Sequence, residues 1–381
     1  MIHRLFLVAP ASSRHSRKGR LEAGATPSST VSVATLALLA AATLALSGCV
    51  SGMLANLAVS APNKEHPPRA VRDAAYAKRV DALYSQTWRV RVGPPAAELA
   101  VAVLEPGNYA FNYQVELKQN DKGRKWLAPK LDWTLPAQPA TSAPKGTVLV
   151  LHGYRDAKEN MLHWAIVLAE FGYRTVLVDL RGHGRSTGDS IAYGAFEAKD
   201  LGQVVDDLER RGLLTGKLGV IGVSYGASTG LLLAARDSRV TAVVALEPFS
   251  NARDAVVEFA HGVAPSQAAK ISASTFAAAV ERAEKQGNFS WADGDVLAAM
   301  PRVKAPVLFY HGAKDRWLSP DNSRRLFAKA PAGSNLGILE NDDHLVLSMR
   351  LMPIVHEVRK WFDAHLVAEK TDSAGRAGEG R

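Results

Sequence analysis

Through the middle of the chain, short apolar runs alternate with longer stretches in which apolar residues recur at helical spacing. The runs are Thr147 to Leu151 (TVLVL), Thr175 to Leu180 (TVLVDL), Leu218 to Val223, Val240 to Leu246, Pro306 to Tyr310 and Asn335 to Leu339. Each is too short for a typical helix and reads as a strand buried on both faces. Met161 to Phe171, Phe196 to Arg211 and Gly226 to Arg236 have helical spacing, and a helical stretch follows each of the last two strands. This alternation predicts an α/β fold with a mostly parallel central sheet and helices on both faces.

The order breaks in two places. Residues 250–300 are Ala-rich and helical with little strand character, too long for a simple connection, and read as a cap inserted over the site. Ahead of the first core strand, residues 71–92 read as helical, Val101 to Leu104 and Tyr109 to Leu117 alternate as strands, and the three prolines of Pro136 to Lys145 mark a linker. The expected organisation is a leader over 1–48, a tether over 49–70 and an N-terminal extension over 71–144. An α/β domain over 145–366 and a polar, Gly-rich, disordered tail over 367–381 complete it. No internal repeat is visible.

The 381 residues are 47% hydrophobic and 22% charged, ordinary proportions that exclude fibrous, wholly disordered and multi-pass membrane classes. Such a length supports a core without disulfides, and the single Cys forbids one within the chain. The formal charge of +9 suggests a polyanionic partner until its distribution is read. Arg4, Arg14, Arg17, Lys18 and Arg20 lie in the leader against Glu22 alone. In the remainder, basic and acidic residues interleave, without the dense basic and aromatic clustering of a nucleic-acid groove. No nucleic-acid partner is expected. The basic segment precedes a 16-residue uncharged run, Val31 to Leu46, as in an export signal. The run is short for a bilayer span and is interrupted by Ser32, Thr35 and Thr43, which weakens a transmembrane reading.

Candidate chemistry gathers at strand ends. Gly222, Val223, Ser224, Tyr225 and Gly226 form G-x-S-x-G where a strand gives way to a helix. On that tight turn the neighbours must be small, and the hydroxyl stands exposed near the positive end of the helix dipole. A hydroxyl is a weak nucleophile, so a base must take its proton and an acid must orient the base. Later strands run into Asp315 and His344, in the order Ser, acid, His; Asp342, Asp343 and Asp321 are rival acids. His261, His311, His356 and His365 are weaker candidates for the base. The negative oxygen formed by attack on a carbonyl needs two donors. Tyr225 N–H is one, and the turn after the first core strand offers Tyr154 N–H, or that of its neighbour Arg155, as the other. Asp179 to Ser186 (DLRGHGRS) lacks the Lys and Ser/Thr of a phosphate-binding loop and reads as a tight turn tied by Asp179 and Arg181. His152, His163 and His183 have no metal-ligand spacing. No metal or cofactor is expected.

Two resemblances extend this reading. Leu46, Ser47, Gly48 and Cys49 resemble the lipobox of bacterial lipoproteins, which implies lipidation at Cys49 and attachment to the bacterial envelope. Val50, where an Asp would imply inner-membrane retention, favours the outer membrane facing the periplasm. LHGY at 151–154, DLRGHGRS, GVSYGA at 222–227, HGAKD at 311–315 and DDH at 342–344 together resemble the α/β-hydrolase superfamily, particularly its serine-aminopeptidase and dienelactone-hydrolase-like branches. The resemblance implies Ser224 as nucleophile, His344 as base and acid, Asp315 as orienter, and Tyr154 and Tyr225 as oxyanion donors. The expected activity is hydrolysis of a small-molecule ester or short acyl substrate through an acyl-enzyme, by a monomer. A short-peptide amidase and a non-catalytic envelope binding module are the alternatives.

Overall fold

The structure is a computed structural model that describes residues 48–65, 67, 69–119, 125–136 and 142–367. The leader except its last residue, and all but the first residue of the expected tail, lie outside these residues.

The described residues contain ten strands. An eight-stranded sheet has the order β1-β2-β6-β5-β7-β8-β9-β10, and β3 (Asn112–Gln119) pairs separately with β4 (Lys125–Asp132). The core strands are β5 (Thr147–Leu151), β6 (Arg174–Val178), β7 (Leu218–Val223), β8 (Val240–Leu246), β9 (Val307–Gly312) and β10 (Asn335–Leu339). Where adjacent they run parallel, while β1 (Gln86–Val92) and β2 (Ala97–Leu104) add antiparallel at one edge. The expected parallel core is therefore present.

Side chains alternate between two cores. Leu149 and Leu151 of β5 join Val220, Val243 and Ala245 under the helices Glu197–Arg210 and Tyr225–Ala234. Val148 and Val150 join Ile221, Val244 and Leu246 under the helices Leu162–Glu170 and Val355–Leu366. The period of two along each strand thus feeds a helical layer on either face.

Three sequence expectations need correction. Within residues 71–92, the helix Ala74–Asp81 ends well before Gln86–Val92 becomes a strand, in which Val90 and Val92 are buried while Arg89 and Arg91 face out. That period-two pattern and pairing with β2 override the helical reading. Of the two strands expected at 101–104 and 109–117, only the first enters the main sheet; the second begins later, at Asn112, and forms the separate hairpin. The tether is also docked rather than extended. Residues 48–59 are helical with Ala55 and Val59 buried; Tyr193 Oη donates to Ala58 O at 2.8 Å, and Asn63 Nδ2 donates to Ser186 O at 2.8 Å.

Between β8 and β9, the insertion contains the helices Ala252–Val263 and Ala273–Gly287. Asn251 and Ser272 cap them by accepting backbone N–H bonds. Glu258 fastens the first helix to the segment after β9, accepting from Ser319 N in the loop and from Asn322 Nδ2 at 3.1 Å in the helix Asp321–Phe327.

Candidate active site

Strands β7, β8, β9 and β10 are successive parallel neighbours, so the residues following them emerge at one edge of the sheet. Ser224 follows β7 with φ 51° and ψ −110°, a conformation unusual for a residue with a Cβ. Its N–H donates to Leu246 O at 2.7 Å, tying the turn to β8. The flanking glycines are steric requirements. A Cβ on Gly222 would lie 2.5 Å from the Gly226 carbonyl, and one on Gly226 would lie 2.5 Å from His152 O. Helix Tyr225–Ala234 starts at the next residue, so Tyr225 N–H belongs to the first turn, whose amides have no acceptor within the helix.

Asp315 and His344 meet. His344 Nδ1 lies 2.6 Å from Asp315 Oδ2, leaving Nε2 as the ring nitrogen not bound to the acid. Asp315 Oδ1 accepts Trp317 N–H at 2.8 Å and Leu318 N–H at 3.0 Å. Burial pushes its acidity toward the neutral form, but hydrogen bonds from His311 and His344, the His344 charge and the Leu318 amide outweigh that. They hold the carboxyl well below its ordinary range. His344 opens a short helix whose cap is Asp343, accepting Leu345 and Val346 N–H at 3.1 and 2.9 Å. The Trp317 ring sits 5.1 Å from the His344 ring. Ser224 shares this edge, but its hydroxyl makes no hydrogen bond to another described residue. The candidate acid and base are thus joined by a direct bond, and the candidate nucleophile follows a strand that ends at the same edge of the sheet.

The other candidates have local roles. Asp343 caps a helix, Asp342 pairs with Arg350, and Asp321 pairs with Arg324 at 2.8 Å. His311 is fully buried, with Nδ1 2.8 Å from Ser323 Oγ and Nε2 3.0 Å from Leu318 O and 3.2 Å from Asp315 Oδ2, so it supports the candidate acid rather than serving as the base. His152 Nε2 accepts Leu180 N–H at 3.0 Å, so a neutral ring carries its proton on Nδ1, 2.8 Å from Gly153 O. Burial lowers the pKa of His163 to about 4 and of His183 to about 3, which suits neutral packing residues. In the DLRGHGRS turn, Asp179 accepts Lys158 N–H at 2.7 Å and Arg185 N–H at 2.9 Å, while Arg181 pairs with Asp200 at 2.8 Å. This turn is tied as the sequence reading expects.

Tyr154 lies in the turn after β5, with Arg155 next at φ 59°. Its ring is 6.3 Å from Tyr225 and 5.7 Å from Phe259 of the insertion; Phe259 in turn lies 5.6 Å from Trp317. An aromatic arch thus runs from the candidate oxyanion turn through the insertion to the base.

Sequence reasoning missed Glu247, immediately after β8 and fully buried, with Oε2 3.7 Å from His344 Nδ1. Its signal was positional: an acidic residue directly after a core strand, on the edge that carries Ser224. One polar atom each from Glu247, Asp315 and His344 lie within 4.8 Å of one another, a spacing a cation could span. The direct Asp315–His344 bond already commits the ring nitrogen and a carboxylate oxygen to each other, so this donor set is poorly suited to a metal.

The chain has the α/β-hydrolase fold, and Ser224, Asp315 and His344 all follow strands at one edge of its sheet. Residues 130–288 match the X-Pro dipeptidyl-peptidase (S15 family) model, a span that includes Ser224 but ends before Asp315 and His344. The uncharacterized protein YqkD of Bacillus subtilis (strain 168) is 28% identical over 202 residues, covering 52% of this chain and 64% of its own. The chain therefore spans less than two thirds of that relative. YitV of the same organism, whose name carries the word esterase, is 27% identical over 239 residues, covering 58% of this chain and 89% of its own. Among solved structures, 2,6-dihydroxy-pseudo-oxynicotine hydrolase is similar with a TM-score of 0.55 and 18% identity, covering 78% of this chain and 73% of that one.

Proposed function

We propose that the protein is a serine hydrolase that cleaves a carboxylic ester through an acyl-enzyme. The carrying observation is the 2.6 Å bond from Asp315 to His344 Nδ1, on the sheet edge where Ser224 occupies its strained elbow. In this reading His344 Nε2 takes the Ser224 proton as Oγ attacks the carbonyl, and Asp315 stabilises the imidazolium. Tyr225 and Tyr154 N–H receive the oxyanion. Collapse of the tetrahedral intermediate passes the proton to the leaving alcohol, and water repeats the sequence to release the acid. The aromatic arch of Tyr154, Phe259 and Trp317 favours an apolar acyl group, and the name of YitV points the same way.

The S15 match favours a second reading, cleavage of aminoacyl amides. Turnover of p-nitrophenyl esters of graded chain length against X-Pro and aminoacyl p-nitroanilides separates the two. Esters are expected to have kcat/KM at least tenfold higher, and faster anilide turnover overturns the preference.

We further propose that Cys49 is lipidated and holds the protein on a bacterial membrane leaflet, the outer membrane being favoured. Among the described residues no helix is long and apolar enough to cross a membrane. Cys49, Met53 and Leu57 are all exposed and spaced four residues apart on one helix, so they share a face that can lie against lipid. In a bacterial host, the wild type is expected in the detergent phase after phase separation and Cys49→Ser in the aqueous phase. Equal partition of the two proteins overturns this anchor.

A further inference from the structure

Glu247 combines three features that a fold ordinarily avoids. Its side chain is fully buried, neither carboxyl oxygen has a hydrogen-bond partner of good geometry among the described residues, and its backbone has φ 55° although it carries a Cβ. The surroundings fix this geometry: Glu247 N–H donates to Tyr310 O at 2.8 Å, and Pro248 follows. The charged and titratable groups around it are Asp315 on the loop after β9 and Asp342, Asp343 and His344 after β10. Burial and the three aspartates raise its pKa well above the ordinary carboxyl value, against a weaker pull from the Gly312 N–H. The aspartates have other duties, in the Asp315–His344 bond, an ion pair and a helix cap. Glu247 faces the His344 nitrogen that Asp315 holds, at 3.7 Å against 2.6 Å.

We propose that Glu247 is a second positioning carboxyl for His344, placed to take the Nδ1 hydrogen bond when Asp315 does not. This rests on His344 serving as the base of a serine hydrolase. The two acids are coupled through their charges. Asp315 is the foremost neighbouring charge that, after burial, raises the Glu247 pKa, so the loss of the first acid favours the ionised form of the second. A small rotation of the imidazole then moves the Nδ1–H hydrogen bond from one carboxylate to the other and leaves Nε2 free to act as the base. The unfavourable burial of Glu247 is explained by this position.

The test is a double-mutant cycle on kcat/KM for a p-nitrophenyl ester, with Asp315→Ala, Glu247→Gln and the pair. Loss of the only orienting acid ordinarily costs about 10⁴-fold. Asp315→Ala is expected to lose only about 10²-fold and to recover activity as pH rises and Glu247 ionises. The pair is expected to lose about 10⁴-fold without that alkaline recovery, while Glu247→Gln alone is expected to cost less than Asp315→Ala and to leave the alkaline limb of the wild-type profile in place. Asp315→Asn, which keeps an oxygen for the Trp317 and Leu318 amides, repeats the cycle if the alanine variant does not fold. The same loss from Glu247→Gln in both backgrounds, or an unchanged pH profile, overturns the proposal. Wild-type turnover that survives Ser224→Ala overturns the hydrolase reading instead, so the two failures are distinguishable.

Discussion

Replacing Ser224 with Ala is expected to reduce kcat by about a million-fold and to abolish covalent labelling by a fluorophosphonate, while the folded protein remains as stable as wild type. The first effect follows because the proposed mechanism has one nucleophile; removing its oxygen leaves His344 with no proton to take and no covalent route to the acyl-enzyme. The unchanged stability follows from what Ser224 contributes to the fold. The turn is held by its backbone, through Ser224 N–H to Leu246 O at 2.7 Å and Ser228 N–H to Ser224 O at 3.0 Å, and the hydroxyl bonds no described residue. Alanine keeps the Cβ and therefore adds no new strain at φ 51°. Labelling, turnover and thermal denaturation measured on the same preparation check all three statements. A labelled alanine variant would locate the nucleophile elsewhere. His344→Ala should cost nearly as much as Ser224→Ala, and the double variant little more, because the two residues act as one unit.

The sequence made the chemistry of this edge easier to read than its surroundings. Ser224, Asp315 and His344 could be found because parallel strands are short and apolar throughout, so that the polar residue after each run is conspicuous. Glu247 occupies an equivalent position after β8, but Leu-Glu-Pro matches no pattern of spacing, and its role depends on an imidazole brought to it from far along the chain. Gln86–Val92 was misread because QTWRVRV includes two arginines, and only pairing with β2 assigns them to the solvent face. Residues 49–70 read as a tether for a related reason. Small residues such as Ala55 and Ala58 bury little area by themselves, and their value lies in allowing close approach, which the surface opposite determines. Gly52, on the same helix, admits Arg282 to within 3.4 Å of where a Cβ would stand.

Asp179→Ala is expected to destabilise the protein by about 3–5 kcal/mol, the cost of removing one partner from a buried ion pair. Asp179 is fully buried and accepts from Lys158 Nζ at 2.8 Å, from Lys158 N–H at 2.7 Å and from Arg185 N–H at 2.9 Å. Without it, the buried Lys158 ammonium has Glu159 alone, and two backbone amides lose their acceptor. The turn is shaped to the carboxylate: Gly184 has φ +52°, and a Cβ there would collide with Asp179 Oδ1. The damage should extend to catalysis, because the next residue, Leu180, donates its N–H to His152, and His152 leads into the Gly153–Tyr154 turn. The pH dependence has a definite sign. Burial raises the Asp179 pKa, but the Lys158 and His152 charges and the Lys158 hydrogen bonds prevail and hold it below the ordinary value. Its contribution is therefore present above the unfolded carboxyl pKa of about 3.9 and is lost as pH falls toward the lower folded value. In urea denaturation, wild type and Asp179→Ala should differ by the full amount at pH 7 and progressively less below about pH 4. An equal difference at pH 7 and pH 3 would mean that packing, rather than the carboxylate charge, holds this turn.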